Sequence, residues 1–386
     1  MTVHRTLRRF LILTGVASLI VDGPSILIAQ SSLRPTAVEV TVPAPPTPVA
    51  IDGRVVLAYE LHVTNFARSP IALRRIDVFS ERDRLPLVTS SDSSLRSAIV
   101  PVGGSTDVTR LEIGRQLIVY MWVDLGKQTD AALRIHRLRH RLAFVTYDTG
   151  SVGKEAGISA IDSVSVAVAD GPVPVLGAPV RSGEWYAGSG PSNTADHRRS
   201  ITAFDARTFI AQRFATDWVK IGPNGDTHHD GRATNENFWA YGEPVIAVAD
   251  GVVTAAVDSI AENTPGRAPA LLTPFNIAGN HVILRIAPHQ YVLFAHLKAG
   301  SVRVKRGQRI QQGTPIGQLG NSGSSTAPHL HLQVMDRNSP LGAEGLPFVF
   351  DRYDFLGFGK VFEEHQHPTI PTRRQLPPED AVVRFR

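Results

Sequence analysis

The chain has 386 residues, enough for two domains of ordinary size, and its content of 42% hydrophobic and 19% charged residues is typical of a soluble globular protein. It contains no cysteine, which excludes a disulfide framework and a lipid-modified cysteine, so its stability must come from its cores. The formal net charge of +5 favours contact with polyanions, although no segment resembles a nucleic-acid-binding module.

The N-terminus has the pattern of a secretion signal. Arg5, Arg8 and Arg9 precede the apolar run 10–21, which is shorter than a typical membrane span. We predict a signal peptide over residues 1–29, with an uncleaved N-terminal anchor as the alternative. The protein would then be exported to the periplasm or the extracellular space, without stable membrane insertion after cleavage. There the cell envelope would be the anionic partner for its positive charge.

Residues 36–170 contain short runs of strand character separated by turn residues. Their spacing, with no long helical pattern between them, predicts an immunoglobulin-like β-sandwich that serves as an accessory or binding module. Representative runs are 55–63, 71–79 and 116–123. The basic run 134–141 alternates with apolar residues and is therefore predicted to be a strand with a charged face toward solvent.

A stretch rich in proline and glycine, residues 171–184, predicts a linker to a second domain over residues 185–360. That domain returns to strand patterns, and its turn glycines favour an antiparallel, mostly β core. The Pro-rich residues 361–386 are predicted to form a C-terminal tail. The pair His365 and His367 in this tail has no strand pattern around it, so we expect it to be solvated.

The most informative motif is His329-Leu330-His331, because residues two apart on a strand project onto the same face. Leu330, Leu332 and Val334 supply the opposite, apolar face that a half-buried strand requires. The two imidazoles can therefore serve one centre, where one binds a metal and the other handles a proton. The local pattern alone leaves this interpretation open against a purely structural pair of histidines.

Three further residues are candidates for the same centre. Asp217 interrupts an apolar run, and a buried carboxylate requires a metal, a cation or several donors; a salt-bridged core aspartate is the alternative. His197 lies in a segment that predicts a hairpin with the strand of Asp217, and folding back near Asp205 would bring His197 opposite that carboxylate. His296 ends a strand and is either a polar terminus or a group that holds an oxyanion or orients water.

With these residues assembled, the second half of the chain resembles the lysostaphin-type, or LytM-like, zinc metallopeptidases, which cut peptides in bacterial peptidoglycan. The resemblance covers about residues 190–350, and the N-terminal half lies outside it. It implies an antiparallel β metallopeptidase domain of the duplicated-hybrid-motif type. We therefore expect a mainly β chain in which this domain follows the β-sandwich. The matching stretches, in the order of the family, are 242–253, 291–296, 300–317 and 320–334.

The resemblance also implies roles for the candidate residues. Asp217 and His331 would hold Zn²⁺, which would polarise the scissile carbonyl and activate the attacking water. His329 would act as general base, and His296 would stabilise the oxyanion.

One residue departs from the pattern of the family. The usual first zinc ligand is a histidine four residues before the aspartate, and this chain has Arg213 at that place. The metal site then requires a nitrogen from His197 or, as weaker alternatives, from His228 or His229.

The resemblance therefore implies a zinc-dependent metalloendopeptidase that hydrolyses peptidoglycan stem peptides or cross-bridges. Because of Arg213, the alternative is a non-catalytic LytM-like domain that binds the cell wall or activates another murein hydrolase. A carrier or phosphotransfer module is suggested by the lipoyl-like hairpin pattern in 304–317. That reading is disfavoured because no modifiable lysine stands alone at an exposed turn there.

Overall fold

A computed structural model describes residues 37–102, 107–127, 134–147, 155–223, 225–267, 269, 272–359 and 369–386. The predicted signal peptide and the pair His365 and His367 lie outside these residues. From Ala37 to Arg386 the chain packs as one compact unit. Within the described ranges, no helix has the length and apolar composition needed to cross a bilayer.

The mainly β architecture is confirmed, and it begins with strands rich in β-branched and aromatic residues. The elements of the N-terminal half are β1 (Val38–Thr41), β2 (Val49–Ile51), β3 (Arg54–Asn65), β4 (Ile71–Ser80), β5 (Val88–Ser91), α1 (Asp92–Ala98), β6 (Ile99–Pro101), β7 (Arg110–Leu111), β8 (Gln116–Lys127), β9 (Arg137–Tyr147) and β10 (Glu155–Ala167).

These strands form two antiparallel sheets that face each other, as predicted for a β-sandwich. One sheet has the order β1-β3-β8-β6 with β2 beside β3, and the other has the order β10-β9-β4-β5 with β7 beside β4. Both sheets contribute alternate residues to one buried core, as packed sheets do. Its members include Leu61 and Val119 from the first sheet, and Ile76 and Phe144 from the second.

The basic run lies on β9 as predicted, but its alternation turns His140 into the core while Arg137 and Arg141 remain exposed. The hydroxyl of Tyr59 donates to Nε2 of His140 at 2.6 Å, and Nδ1 of His140 donates to the carbonyl of Val164 at 3.2 Å. Burial lowers the pKa of His140 to about 4, and the hydrogen bond to Val164 opposes this shift only in part. The native protein therefore holds His140 neutral.

This buried histidine predicts a loss of stability in acid. The unfolded chain binds a proton at His140 below about pH 6.5, whereas the native protein does so only near pH 4. Stability is thus lost as the pH falls through this window, by roughly 3 kcal/mol at most. We expect His140→Gln to lose much of this dependence in urea denaturation with a chelator present. His136→Gln, at an exposed position next to β9, is the matched control. Equal pH profiles for wild type and His140→Gln would contradict the assignment.

The second half also consists mainly of strands, with a short helix and a 3-10 turn. Its elements are β11 (Val175–Leu176), β12 (Glu184–Gly188), α2 (Asp196–Arg199), β13 (Thr202–Phe204), β14 (Arg207–Phe209), β15 (Thr216–Ile221), a 3-10 turn (Asn235–Asn237), β16 (Pro244–Ile246), β17 (Gly251–Val257), β18 (Asn280–Ala287), β19 (Gln290–Leu297), β20 (Arg309–Ile310), β21 (Pro315–Gln318), β22 (Leu330–Met335), β23 (Val349–Phe358), β24 (Ile370–Gln375) and β25 (Ala381–Arg384).

One large sheet organises this half, with the order β11-β23-β25-β12-β15-β22-β19-β18-β17-β20 and with β24 beside β23. All six residues of β22 are buried, so this strand runs through the middle of the core. Trp218, Phe294, Leu332 and Phe350 pack in the cluster that surrounds it. The sheet therefore holds the strand of the paired histidines on both sides and buries its apolar face.

The described part of the stretch expected to be a C-terminal tail, residues 369–386, adds two strands to this sheet. Ala381, Val382 and Val383 are fully buried, which explains why β25 is held between β12 and β23. The backbone N–H of Leu376 also donates to the carbonyl of Ala50 at 2.9 Å, so this segment contacts the β-sandwich. Residues 370–384 are thus part of the fold, whereas the predicted domain boundaries stay predictions.

Candidate metal centre

Three neighbouring strands bring the candidate residues together. In the β15–β22 register Asp217 lies opposite His331, and in the β19–β22 register His331 lies opposite Ala295. His296 follows on β19, and His329 immediately precedes β22. The strand pattern of the His-x-His motif therefore predicted correctly that both imidazoles face one centre.

His197 reaches the same centre by a route that the sequence analysis did not predict. The proposed hairpin between its segment and the strand of Asp217 is wrong, because β13 pairs with β14, whereas both edges of β15 are occupied by β12 and β22. His197 instead lies on the short helix α2. Its Nε2 atom is 3.4 Å from Oδ2 of Asp217.

His197, Asp217 and His331 form a group suited to a metal ion. Their ligand atoms all lie within 4.8 Å of one another. Imidazole nitrogens and a carboxylate oxygen are the donors that zinc accepts in sites with three protein ligands. The side chains are 15%, 20% and 7% exposed, respectively, so the group is sheltered but open on one side. The residues present thus fit a zinc ion.

Hydrogen bonds behind the ligands fix which nitrogen of each imidazole is free. Nδ1 of His197 donates to the carbonyl of Ser189 at 2.9 Å, which leaves the lone pair of Nε2 facing the centre. Nε2 of His331 lies 2.8 Å from Oε1 of Gln333, and the amide of Gln333 is itself oriented by its donation to the carbonyl of Pro340. Such partners are typical of histidines that bind metals.

Gln333 was missed by the sequence analysis, although a signal for it was present. It follows His331 by two residues on the same strand, so the period-2 rule that joined His329 to His331 extends to it. A polar side chain on this inward face is 1% exposed and must have partners.

The other two histidines stand beside the group. Nδ1 of His329 donates to the carbonyl of Ala327 at 2.8 Å, and its Nε2 lies 3.5 Å from Oδ1 of Asp217. Nδ1 of His296 donates to the carbonyl of Ser322 at 2.7 Å, and its ring centroid is 4.8 Å from that of His329. His296 has a positive φ of 63°, an unfavourable conformation that its surroundings must impose.

The electrostatics of the centre favour a bound cation. Burial acts to raise the pKa of Asp217, but His329, His197 and His331 outweigh it and hold that pKa well below its usual range. Burial acts to lower the pKa of His331, but the hydrogen bond and charge of Asp217 raise it overall. In the described part of the chain the ion-pair partners of Asp217 are histidines, with no lysine or arginine among them. A metal bound here would compete with a proton for Nδ1 of His331.

The pKa of His197 is shifted in the opposite direction from that of His331. Burial lowers the pKa of His197 to about 4, although the charge of Asp217 opposes the shift. The ring is therefore neutral at physiological pH, with a lone pair available on Nε2. Burial also places the pKa of His296 well below its usual range.

These residues line a cavity of about 380 Å³. Its walls add the apolar side chains of Ile277, Leu293 and Leu341, so the polar groups converge at one side of a partly apolar space. A wider surface groove around Arg285 and Arg309 contains none of the five candidate residues.

The alternative ligands named above lie elsewhere. His228 accepts a hydrogen bond from Arg232 at 3.1 Å, and Nδ1 of His229 lies 3.2 Å from Asp230. Arg213 carries a guanidinium, which is always protonated and has no lone pair for a metal. Its side chain is buried and pairs with Glu60 and Glu344 instead. Of the three alternative histidines, His197 is the one grouped with Asp217 and His331.

Residues 236–342 match the model of peptidase family M23. The chain is also similar to the peptidoglycan DD-endopeptidase ShyA of Vibrio cholerae serotype O1, at 32% identity over 102 residues that cover 26% of this chain and 20% of that protein. An uncharacterized metalloprotease of Haemophilus influenzae is 36% identical over 92 residues, which cover 24% of this chain and 16% of that protein. The chain thus spans about a fifth of the length of these relatives, or less.

Solved structures give weaker likenesses. The catalytic domain of lysostaphin from Staphylococcus simulans is 23% identical, with a TM-score of 0.21, and the match covers 31% of this chain and 84% of that one. A zinc-containing peptidase from Vibrio cholerae is 18% identical, with a TM-score of 0.21, and the match covers 74% of this chain and 79% of that one. Both TM-scores are too low to carry an argument about function.

Proposed function

Because residues 236–342 form a peptidase family M23 domain, as the resemblance implied, we propose that the chain is a zinc-dependent endopeptidase acting on peptidoglycan stem peptides or cross-bridges. The observation that carries the proposal is the convergence of His197, Asp217 and His331 within 4.8 Å. The substrate class is supported by the similarity to ShyA, a peptidoglycan DD-endopeptidase.

In this proposal Nε2 of His197, the carboxylate of Asp217 and Nδ1 of His331 hold the zinc. When bound, the metal supplies Lewis-acid polarisation of the scissile carbonyl and lowers the pKa of the attacking water, so that hydroxide is available near neutral pH. His329 serves as the general base, since its Nδ1 is committed to Ala327 and its Nε2 remains to take up a proton.

The oxyanion role predicted for His296 requires a proton on its Nε2. Its Nδ1 donates to the carbonyl of Ser322, and its low pKa keeps the ring neutral, so Nε2 carries a lone pair rather than a hydrogen. His296 can therefore stabilise an oxyanion only after Nε2 has taken up a proton. His329, with its ring centroid 4.8 Å away, is the neighbour through which that proton could pass.

The proposal extends to location, since peptidoglycan lies outside the cytoplasmic membrane. Export rests on the basic residues Arg5, Arg8 and Arg9 and on the apolar run that follows them. Comparison of the N-terminal sequence of the mature protein with the gene-encoded one tests it. A mature protein that retains Met1 and stays in the cytoplasm would contradict export.

The direct test combines metal analysis with hydrolysis of purified peptidoglycan. We expect about one zinc per chain, as for other sites with three protein ligands. We also expect release of muropeptides that stops on chelation and resumes with zinc. Mass spectrometry of the released peptides identifies the bond. Asp217→Asn keeps the shape of the side chain and should lose the metal. Absence of zinc under metal-replete conditions would favour the non-catalytic alternative.

A further inference from the structure

The helix that carries His197 cannot fix its own position. α2 has four residues, and its N-cap residue Ala195 provides no side-chain hydrogen bond. Helices shorter than about 12 residues are marginal in isolation. The orientation of His197 therefore depends on what this single turn is attached to.

Arg198 attaches the turn to the β-sandwich. Its side chain is fully buried, and Nη1 donates to Oε1 of Glu60 at 2.8 Å. Nη2 donates to the carbonyls of Tyr59 at 3.1 Å and Met121 at 2.9 Å. Tyr59 and Glu60 lie on β3 and Met121 lies on β8, so the residue next to His197 in sequence is anchored in the N-terminal module.

Further contacts hold the same turn against the same sheet. Nδ2 of Asn193 donates to the carbonyl of Tyr120 at 2.9 Å, and Oδ1 of Asn193 accepts from Nε of Arg198 at 3.3 Å. Arg199 donates to the carbonyl of Ser97, which lies on α1 of the sandwich. The guanidinium groups of Arg198 and Arg199 each lie 5.5 Å from the ring centroid of Tyr120. The whole turn is therefore docked on the module.

Helical geometry connects this anchor to the metal centre. Successive side chains on a helix diverge by about 100°, so Arg198 can enter the sandwich while His197 points at Asp217. Because the two residues are adjacent in one helical turn, a shift at Arg198 moves His197 with it. Metal–ligand distances tolerate deviations of only about 0.2 Å.

Glu60 ties the anchor to the strand of Asp217 as well. Its Oε2 accepts from Nη2 of Arg213 at 2.8 Å, and Nη1 of Arg213 lies 2.8 Å from Glu344. Arg213 precedes Asp217 by four residues, shortly before β15. One buried carboxylate from the sandwich thus holds both the segment that carries His197 and the segment that leads to Asp217.

We infer that Arg198 and Glu60 are positioning residues for the metal, and that the β-sandwich completes the zinc site by holding His197 against Asp217. The inference rests on the proposed zinc site. It gives the N-terminal module, which lies outside the family resemblance, a role in positioning a ligand of that site.

The test compares two variants of the full chain that both weaken the sandwich. Arg198→Met removes the anchor, whereas Leu138→Ala opens a cavity in the sandwich core away from α2. Zinc affinity is measured by competition with a chromophoric chelator, and ligand geometry by the absorption spectrum of the Co²⁺-substituted protein. We expect Arg198→Met to weaken zinc binding by about 10- to 100-fold and to change the Co²⁺ spectrum toward that of His197→Ala. Leu138→Ala should leave both unchanged.

A double variant distinguishes an effect of Arg198 through His197 from a general effect on the fold. If Arg198 acts only through His197, then His197→Ala/Arg198→Met binds zinc no more weakly than His197→Ala alone. Should Arg198→Met fail to fold, Asn193→Ala removes two milder contacts and should weaken binding in the same direction. Wild-type affinity and spectrum in the anchor variants, or an equal loss in Leu138→Ala, would overturn the inference. Lack of zinc in the wild type would instead overturn the proposed function.

Discussion

Replacing His331 with alanine will remove zinc from the protein, whereas replacing His329 with alanine will leave zinc bound and suppress peptide hydrolysis. The two residues differ in the contacts that their imidazole nitrogens make. Nδ1 of His331 faces Asp217 at 2.9 Å and its Nε2 is committed to Gln333, which is the arrangement of a ligand. Nε2 of His329 lies farther from the same carboxylate, at 3.5 Å, and because Nδ1 is committed to Ala327, Nε2 is the nitrogen that can move a proton. Loss of a general base costs about 10²- to 10⁴-fold in rate.

Zinc content and the rate of muropeptide release, measured on the same preparations, check this pair of variants. His289→Asn is the control, because His289 is exposed at a turn with a φ of 56°, where asparagine is well tolerated. It should retain both metal and activity. If His329→Ala lost the metal as completely as His331→Ala, the division between ligand and base would be refuted.

Glu60→Gln will cost the metal-free protein about 3–5 kcal/mol in free energy of unfolding, the usual effect of breaking a buried ion pair from one side. Glu60 is 1% exposed and lies within 2.8 Å of both Arg198 and Arg213. Burial acts to raise its pKa, but Arg213 and Arg198 outweigh burial and lower it. Glutamine keeps the shape of the side chain but leaves two buried guanidinium groups without their shared counter-charge.

Urea denaturation followed by circular dichroism measures this loss, with a chelator present so that zinc binding adds nothing to the stability. Glu112→Gln is the matched control, because Glu112 pairs with Arg110 at 2.7 Å but is 55% exposed. Exposed pairs contribute about 1 kcal/mol or less. A loss for Glu60→Gln no larger than that for Glu112→Gln would show that the buried network does not stabilise the fold.

The part of the site that the sequence could predict is the part governed by local rules. The alternation around His329 and His331 predicted that both imidazoles face one side. His331 lies on β22, His329 immediately precedes it, and both rings contact Asp217. Asp217 was identifiable because a carboxylate in an apolar strand requires a partner. The sandwich followed from turn spacing, and β9 lay where the basic run predicted it.

The remainder depends on contacts between residues far apart in the chain. His197 does lie beside Asp217, but not through the predicted hairpin, since both edges of β15 are occupied by β12 and β22. Arg198 and Arg213 pair with Glu60 across sequence separations of 138 and 153 residues. No local pattern links positions so distant, and a single sequence offers no covariation to reveal them.

The carboxylate of Glu60 also constrains how such a chain can evolve. A histidine introduced at position 213 by a single substitution would face Glu60 and Glu344, two acidic groups that share the guanidinium of Arg213. That change would discard a buried counter-charge before it supplied a usable ligand. We therefore expect a histidine at position 213 to be tolerated only together with a change at Glu60, so the sequence of the β-sandwich limits which residues can occupy a position four residues before Asp217.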